Sequence, residues 1–310
     1  MYFPYLRGKQ NELIALRELM EIGRISNRII PIIEPIKPTS TLVSTLHMYN
    51  ENKRDIAIIC NPSVGGFTKD INKLIKEKSI IATNLIEEMK SENLIKSYII
   101  NKDALPDIIN KQDKYSYLIV NTKIDCKDAF FRIYEDGLPR FSLIPDVKAF
   151  KSSISDSKVL LKDHFNKLPR NIDYIDDDDE FFSSDHLEYV EEGFVGFSDY
   201  SVIGQGFKES GFAAYAVVIH IVYFDDRKEL RVKHFVSDSN SDINDPAKKL
   251  GEALRKLVKW CNENHVYMTE GLRRLYECYR TGDYPGLGII KKLSIMHHIE
   301  LMSVFLEGKI

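Results

Sequence analysis

Short, unbroken apolar runs recur along this chain, with amphipathic stretches between them. The runs cover residues 29–35, 56–62, 98–101, 117–121, 141–146, 159–163, 194–199 and 215–220. Each is rich in Ile and Val and continuous rather than alternating, the pattern of parallel strands buried on both faces. The early intervening stretches carry apolar residues at helical spacing. Residues 11–23 place Leu13, Leu16, Leu19 and Met20 on one face, and residues 39–50 begin with Thr39 and Ser40, suited to an N-cap. Residues 71–89 continue the pattern with a break near Ser79, and residues 125–134 group Ala129, Phe130 and Ile133. Short strands alternating with helices imply βαβ units and a parallel sheet. About eight of them imply closure, so the expected fold is a (β/α)8, TIM-barrel-like α/β structure. An open doubly wound sheet is the alternative.

Two segments break the rhythm. Residues 171–180 form an acidic excursion containing Asp176, Asp177, Asp178 and Asp179, which reads as a solvated loop. Residues 213–224 and 230–236 flank the polar turn Asp225-Asp226-Arg227-Lys228. That pattern predicts an irregular antiparallel hairpin near the end of the barrel. Helices are expected beyond it, over about 246–264, 269–279 and 288–306. The chain has 310 residues and no low-complexity linker or internal repeat. It is therefore expected to be one barrel domain over 1–310, with 245–310 as appended C-terminal helices.

Composition narrows the function classes. The formal net charge is −3, so no global basic field points to nucleic acid, and strong direct binding to duplex DNA by this chain alone is not expected. Basic pairs such as Lys248-Lys249 and Arg273-Arg274 suit solvated helix faces. No apolar run approaches the roughly 18 residues that span a bilayer, and the N-terminus lacks the pattern of a signal peptide. No membrane association is expected. Cys60, Cys126, Cys261 and Cys278 follow no metal-ligand spacing and read as reduced thiols. The expected location is cytoplasmic. Self-association is left open.

In parallel α/β sheets, ligands bind at the carboxyl ends of strands. The polar residues that end the apolar runs are therefore candidates: Glu34, Asn61, Asn101, Asn121, Asp146, Asp163 and Asp199. Such residues are also common in the turns that end any strand. Glu34 stands out because Pro35 holds it on extended backbone, where it could serve as acid, base or metal ligand, or pair with Arg7 or Lys9. Lys162, Asn61, Ser198 and Gly204 are candidates for holding a phosphate or other ligand, with Gly204 and Gly206 allowing close backbone approach. Carboxylate chemistry there would call for Mg2+ or Mn2+. Asp199 is expected to need a partner, with Lys162, His220, a metal or a ligand in view. His220 and His234 lie in the two arms of the hairpin. On adjacent strands their imidazoles would come close, suiting acid–base chemistry or a metal, or each would be a buried hydrogen-bonded residue. The candidate catalytic pocket is thus Glu34, Asp163, Asp199, His220 and His234.

The opening Tyr2-Phe3-Pro4-Tyr5-Leu6-Arg7-Gly8-Lys9 and the later Ile30-Pro31-Ile32-Ile33-Glu34-Pro35 carry a resemblance, together with Gly196-Phe197-Ser198-Asp199-Tyr200, Ile219-His220 and His234-Phe235-Val236-Ser237-Asp238. The chain resembles a bacterial protein family of unassigned chemistry, more distantly similar to the phage "beta protein" family. The resemblance runs from Tyr2 to about Trp260 and transfers no catalytic residue. It implies a gene neighbour whose product is similar to a restriction-type nuclease. It thereby implies a component of anti-phage or mobile-element defence that acts as recognition or regulatory partner of that nuclease-like protein, with the C-terminal helices as docking surface. The alternative is a metal-dependent phosphodiesterase or nuclease with its site at the carboxyl ends of the barrel strands.

Overall fold

The computed structural model describes residues 1–101, 108–207 and 215–310. These gather into two compact units. The first comprises Met1–Leu13, Asn27–Lys162 and Asp185–Tyr200, and the second Ile14–Ser26, Asp163–Ser184 and Ser201–Ile310.

The first unit is a parallel barrel flanked by helices. Its strands are β1 (Tyr5–Leu6), β2 (Ile32–Ile33), β3 (Ile56–Ile59), β4 (Leu94–Ile99), β5 (Leu118–Val120), β6 (Phe141–Ile144), β7 (Lys158–Leu161) and β9 (Gly196–Ser198). They lie side by side in chain order, every neighbouring pair parallel. A parallel bridge between Tyr2 and Phe197 joins the first strand to the last. The Phe3 amide donates to Phe197 O at 2.8 Å and the Tyr5 amide to Asp199 O at 2.9 Å, so the sheet closes. Alternate residues point to the axis. Ile30 and Ile32, Ala57 and Ile59, and Leu118 and Val120 belong to one buried cluster with Phe3 and Tyr5. The interior is filled by side chains, as small barrels require. The helices follow their local signals. Thr39 Oγ1 accepts from the Leu42 amide at 3.2 Å and starts the helix Ser40–Glu51. Extended backbone at Ser79 separates Phe67–Lys76 from Ile80–Glu88.

The second unit holds a three-stranded antiparallel sheet in the order β10 (Val218–Phe224), β11 (Leu230–Val236), β8 (Asp179–Ser183). Its long helices are Pro246–Asn264, Glu270–Thr281 and Leu287–Leu306. Asp245 caps the first of them, its Oδ1 accepting from the Lys248 amide at 3.0 Å, and Pro246 opens the helix where its missing N–H costs nothing. Leu287–Leu306 is buried along most of its length, its polar residues Lys292, His297, His298 and Glu300 included.

The barrel class, the late hairpin and the C-terminal helices accord with the sequence. Two details differ. The run at 215–220 lies at the start of β10 in the antiparallel sheet, and the eighth barrel strand is the two-residue β1. The expected hairpin arm began at Ala213, which with Ala214 lies outside the described residues. The acidic excursion is not wholly a loop: Asn171–Ile175 is a 3-10 turn, and Asp179 and Glu180 begin β8. Its charges can enter a sheet because they are paired, Asp179 with Arg231 at 2.8 Å and Asp178 with Lys233 at 2.7 Å. Residues 163–184 and 201–244 gather with the helices beyond 245 in the second compact unit.

Candidate functional site

Several candidates on the barrel make hydrogen bonds that build the barrel. Glu34 follows β2 and is fully buried. Its Oε2 accepts from the Tyr5 hydroxyl at 2.8 Å and from Arg7 Nη1, and its Oε1 accepts from the amide and hydroxyl of Ser63, each at 2.7 Å. Four donors fill the lone-pair sites of a carboxylate. The Arg7 guanidinium also lies 5.2 Å from the centre of the Tyr5 ring and 5.3 Å from that of Tyr200. Burial first, and then the Glu34 charge, push the Tyr5 phenol well above its ordinary range, so it remains a donor.

Asn61, Ser198 and Asp199 behave alike, whereas Lys162 and Asn121 do not. Asn61 Nδ2 donates to Ile99 O at 2.8 Å and its Oδ1 accepts from the Ile99 amide at 2.9 Å, extending the β3–β4 pairing. Ser198 Oγ donates to Phe3 O at 2.6 Å across the closure of the barrel. Asp199 is buried, and its Oδ1 accepts from the Tyr2 hydroxyl at 2.8 Å. Lys162, one of its anticipated partners, instead pairs with Asp185 at 3.0 Å and Asp146 at 3.1 Å. Asn121 is fully buried with no partner on either amide atom.

Within the second unit, Asp163 and Gly204 shape a turn. Asp163 Oδ2 accepts from the Gln205 amide at 2.8 Å and its Oδ1 from the Phe165 amide at 3.3 Å. Gly204 has φ +72°, a left-handed conformation that favours glycine.

The two histidines do come together. His220 of β10 and His234 of β11 are directly opposed in the antiparallel register. Their Nδ1 atoms lie 2.7 Å apart, and His234 Nε2 lies 3.0 Å from Glu180 Oε1 on β8. Three adjacent strands thus set a Glu180–His234–His220 chain. The bonding assigns the tautomers. His234 Nε2–H donates to the Glu180 carboxylate, so its Nδ1 is the acceptor. His220 then donates through Nδ1–H, and its Nε2 carries a lone pair. Among the described residues no group hydrogen-bonds to that Nε2. Aromatic rings enclose the pair: Tyr174 lies 4.8 Å from His220 and 4.5 Å from His234, and Phe165 lies 4.9 Å from His220. Burial first, and then the neighbouring His234 and Lys291, hold the His220 imidazole well below its ordinary range. Burial also lowers His234, against the opposing pull of Glu180.

His220 lines a cavity of about 300 Å³, the lower end of the range of small-molecule sites. Phe165, Tyr174, Ile203 and Ile290 supply apolar walls, and Lys167 and Lys291 supply positive charge. No Asp or Glu is among its described lining residues. Two lysines and an imidazole with an acceptor nitrogen thus line one cavity, chemistry that can hold an anion. Of the sequence candidates only His220 lines it. Glu180, Tyr174, Lys167 and Lys291 were not singled out in the sequence, since the register that aligns them is a tertiary property. For Glu180 a local signal existed: an acidic residue directly before the apolar pair Phe181-Phe182.

Among the described residues no group of three or more His, Cys, Asp or Glu side chains is placed to hold a metal ion, and no helix is long and apolar enough to cross a membrane. No model of a protein family, no curated protein and no solved structure matches this chain.

Proposed function

We propose that this chain is the recognition or regulatory component of a bacterial anti-phage or mobile-element defence pair, acting on a nuclease-like partner in response to a small anionic ligand. The pairing rests on the family resemblance of the N-terminal and Gly196–Tyr200 motifs. The ligand rests on one observation: a cavity bounded by His220, Lys167 and Lys291 with no carboxylate among its described lining residues. A binding role also agrees with the barrel-end carboxylates, since Glu34 has four donors around it and Asp199 a buried phenol. Co-expression with the nuclease-like neighbour followed by size exclusion tests the pairing. Co-elution at micromolar concentration is expected, and two peaks that never merge would overturn it.

The second reading is a phosphodiesterase or nuclease. One feature favours it, the lone pair on His220 Nε2 beside the cavity, which is the state a general base needs. Carried over to this pocket, it draws on His220 rather than on the strand-end carboxylates. Hydrolysis of bis(p-nitrophenyl) phosphate by the purified chain, lost in His220→Gln, is the outcome that would prefer it.

A further inference from the structure

We infer that the cavity beside His220 is a proton-coupled site for a phosphomonoester of the nucleotide class, in which the ligand binds together with one proton taken up by His220. The inference rests on the anionic-ligand reading above and adds the ligand's chemistry and its linkage to pH. The cavity has two kinds of wall. Lys167 and Lys291 provide charge for a phosphate, and the Tyr174 and Phe165 rings provide flat apolar surface for a base.

The proton follows from the hydrogen-bond chain. With Nδ1–H committed to His234, His220 meets the cavity through an acceptor lone pair. Phosphate oxygens are acceptors too, so ligand and imidazole repel each other until a proton arrives on Nε2. Shifting protons along the chain cannot supply it, because that would strip the hydrogen from His234 Nε2 and set a bare nitrogen against the Glu180 carboxylate at 3.0 Å. The proton must therefore come from solvent. Once it arrives, His220 is a cation with both N–H groups donating, one to His234 and one to the phosphate, while His234 and Glu180 keep their places. No bond other than this N–H forms and none breaks.

The charges facing His220 agree with that account. His234 faces it from β11, with Glu180 behind it on β8. Lys291 on the helix Leu287–Leu306 and Lys167 line the same cavity, and the Tyr174 ring packs against it from the 3-10 turn. Asp177 and Asp178 act on His234 from the following segment. Without ligand Lys291 disfavours a positive charge on His220. A bound dianion reverses that balance, which is the condition for linked uptake.

Calorimetric titration of the full chain with 5′-AMP and with inorganic phosphate, at pH 7 in buffers of differing ionisation enthalpy, measures the proton count directly. We expect uptake approaching one proton per bound 5′-AMP, and weaker binding as pH rises from 7 to 8. His220→Gln should lose the uptake and about tenfold or more in affinity. Lys291→Met should lose affinity and keep the uptake, with thermal melts confirming that both variants fold. Binding without uptake, or uptake that persists in His220→Gln, overturns the proton coupling and leaves the anion site. No binding of either probe at millimolar concentration overturns the phosphomonoester site, whereas the nuclease pairing stands or falls on co-elution alone.

Discussion

Glu34 and Asp199 are the two carboxylates that the sequence marks most sharply, and their surroundings determine what each can do. Glu34 has no exposed surface and four donors around it. Removing it leaves the Arg7 guanidinium buried without its carboxylate, the situation in which a broken buried pair costs about 3–5 kcal/mol. We predict that Glu34→Ala lowers stability by an amount of that order in urea denaturation. A change below about 1 kcal/mol would show that the pair is not structural. Asp199 accepts from Tyr2, whose phenol is held protonated first by burial and then by the Asp199 charge. Tyr2→Phe removes one donor and should cost about 1.5–3 kcal/mol, the worth of a hydrogen bond to a charged group. Its melting temperature should fall while ligand binding and co-elution persist. Loss of co-elution at unchanged melting temperature would return Asp199 to a functional site. Both residues were legible as special, because a carboxylate after an apolar run must be satisfied. Which donors satisfy them was not legible: Tyr2 lies 197 positions from Asp199 in the chain.

At the scale of elements, legibility followed length and local capping. The helix Pro246–Asn264 has its cap at Asp245 and its first-turn proline written in consecutive residues, and Glu270–Thr281 has Thr269 accepting from the Leu272 amide. β1 is two residues long, too short for any period to register, and it exists because its amides and carbonyls complete the barrel between β2 and β9. The same closure explains Gly196. A methyl group on its backbone would stand 2.6 Å from Phe3 Cε2 and 2.7 Å from Met1 O, while the Phe197 amide must still reach Met1 O at 3.0 Å. We predict that Gly196→Ala destabilises by about 1–3 kcal/mol, the usual cost of overpacking. Gly206→Ala is the control, since among the described residues nothing lies within 4 Å of the added carbon. Equal melting temperatures for the two variants would remove the close approach as the reason for a glycine in β9.

For the molecule as a whole, charge and titration make the remaining predictions. With 43 Lys and Arg against 46 Asp and Glu, the chain lacks the surplus of cations that duplex DNA selects. Any binding should be weak and fall steeply with salt, and tight binding at physiological salt would contradict this. Acid is the stronger lever, through buried histidines of the second unit. His297 Nε2 donates to Val222 O at 2.6 Å and its Nδ1 accepts from the Thr269 hydroxyl at 2.7 Å, so both nitrogens are engaged in the neutral form. Burial lowers its pKa from 6.5 to about 4. His220 and His234 are lowered as well. A lowered histidine gives the unfolded chain more bound protons than the folded one once pH drops below about 6.5. Its stabilisation is therefore full above that value and is lost as pH falls toward the folded pKa. For His297 the interval is worth roughly 3 kcal/mol over the whole range, most of it reached by pH 4.5. Urea denaturation between pH 7 and pH 5 should show stability decreasing with acid, before most carboxylates titrate. His297→Gln should start less stable and decline more gently over the same interval. An undiminished slope in that variant would assign the acid sensitivity to the His220–His234 pair, and saturating 5′-AMP, which draws a proton onto His220, would then flatten it.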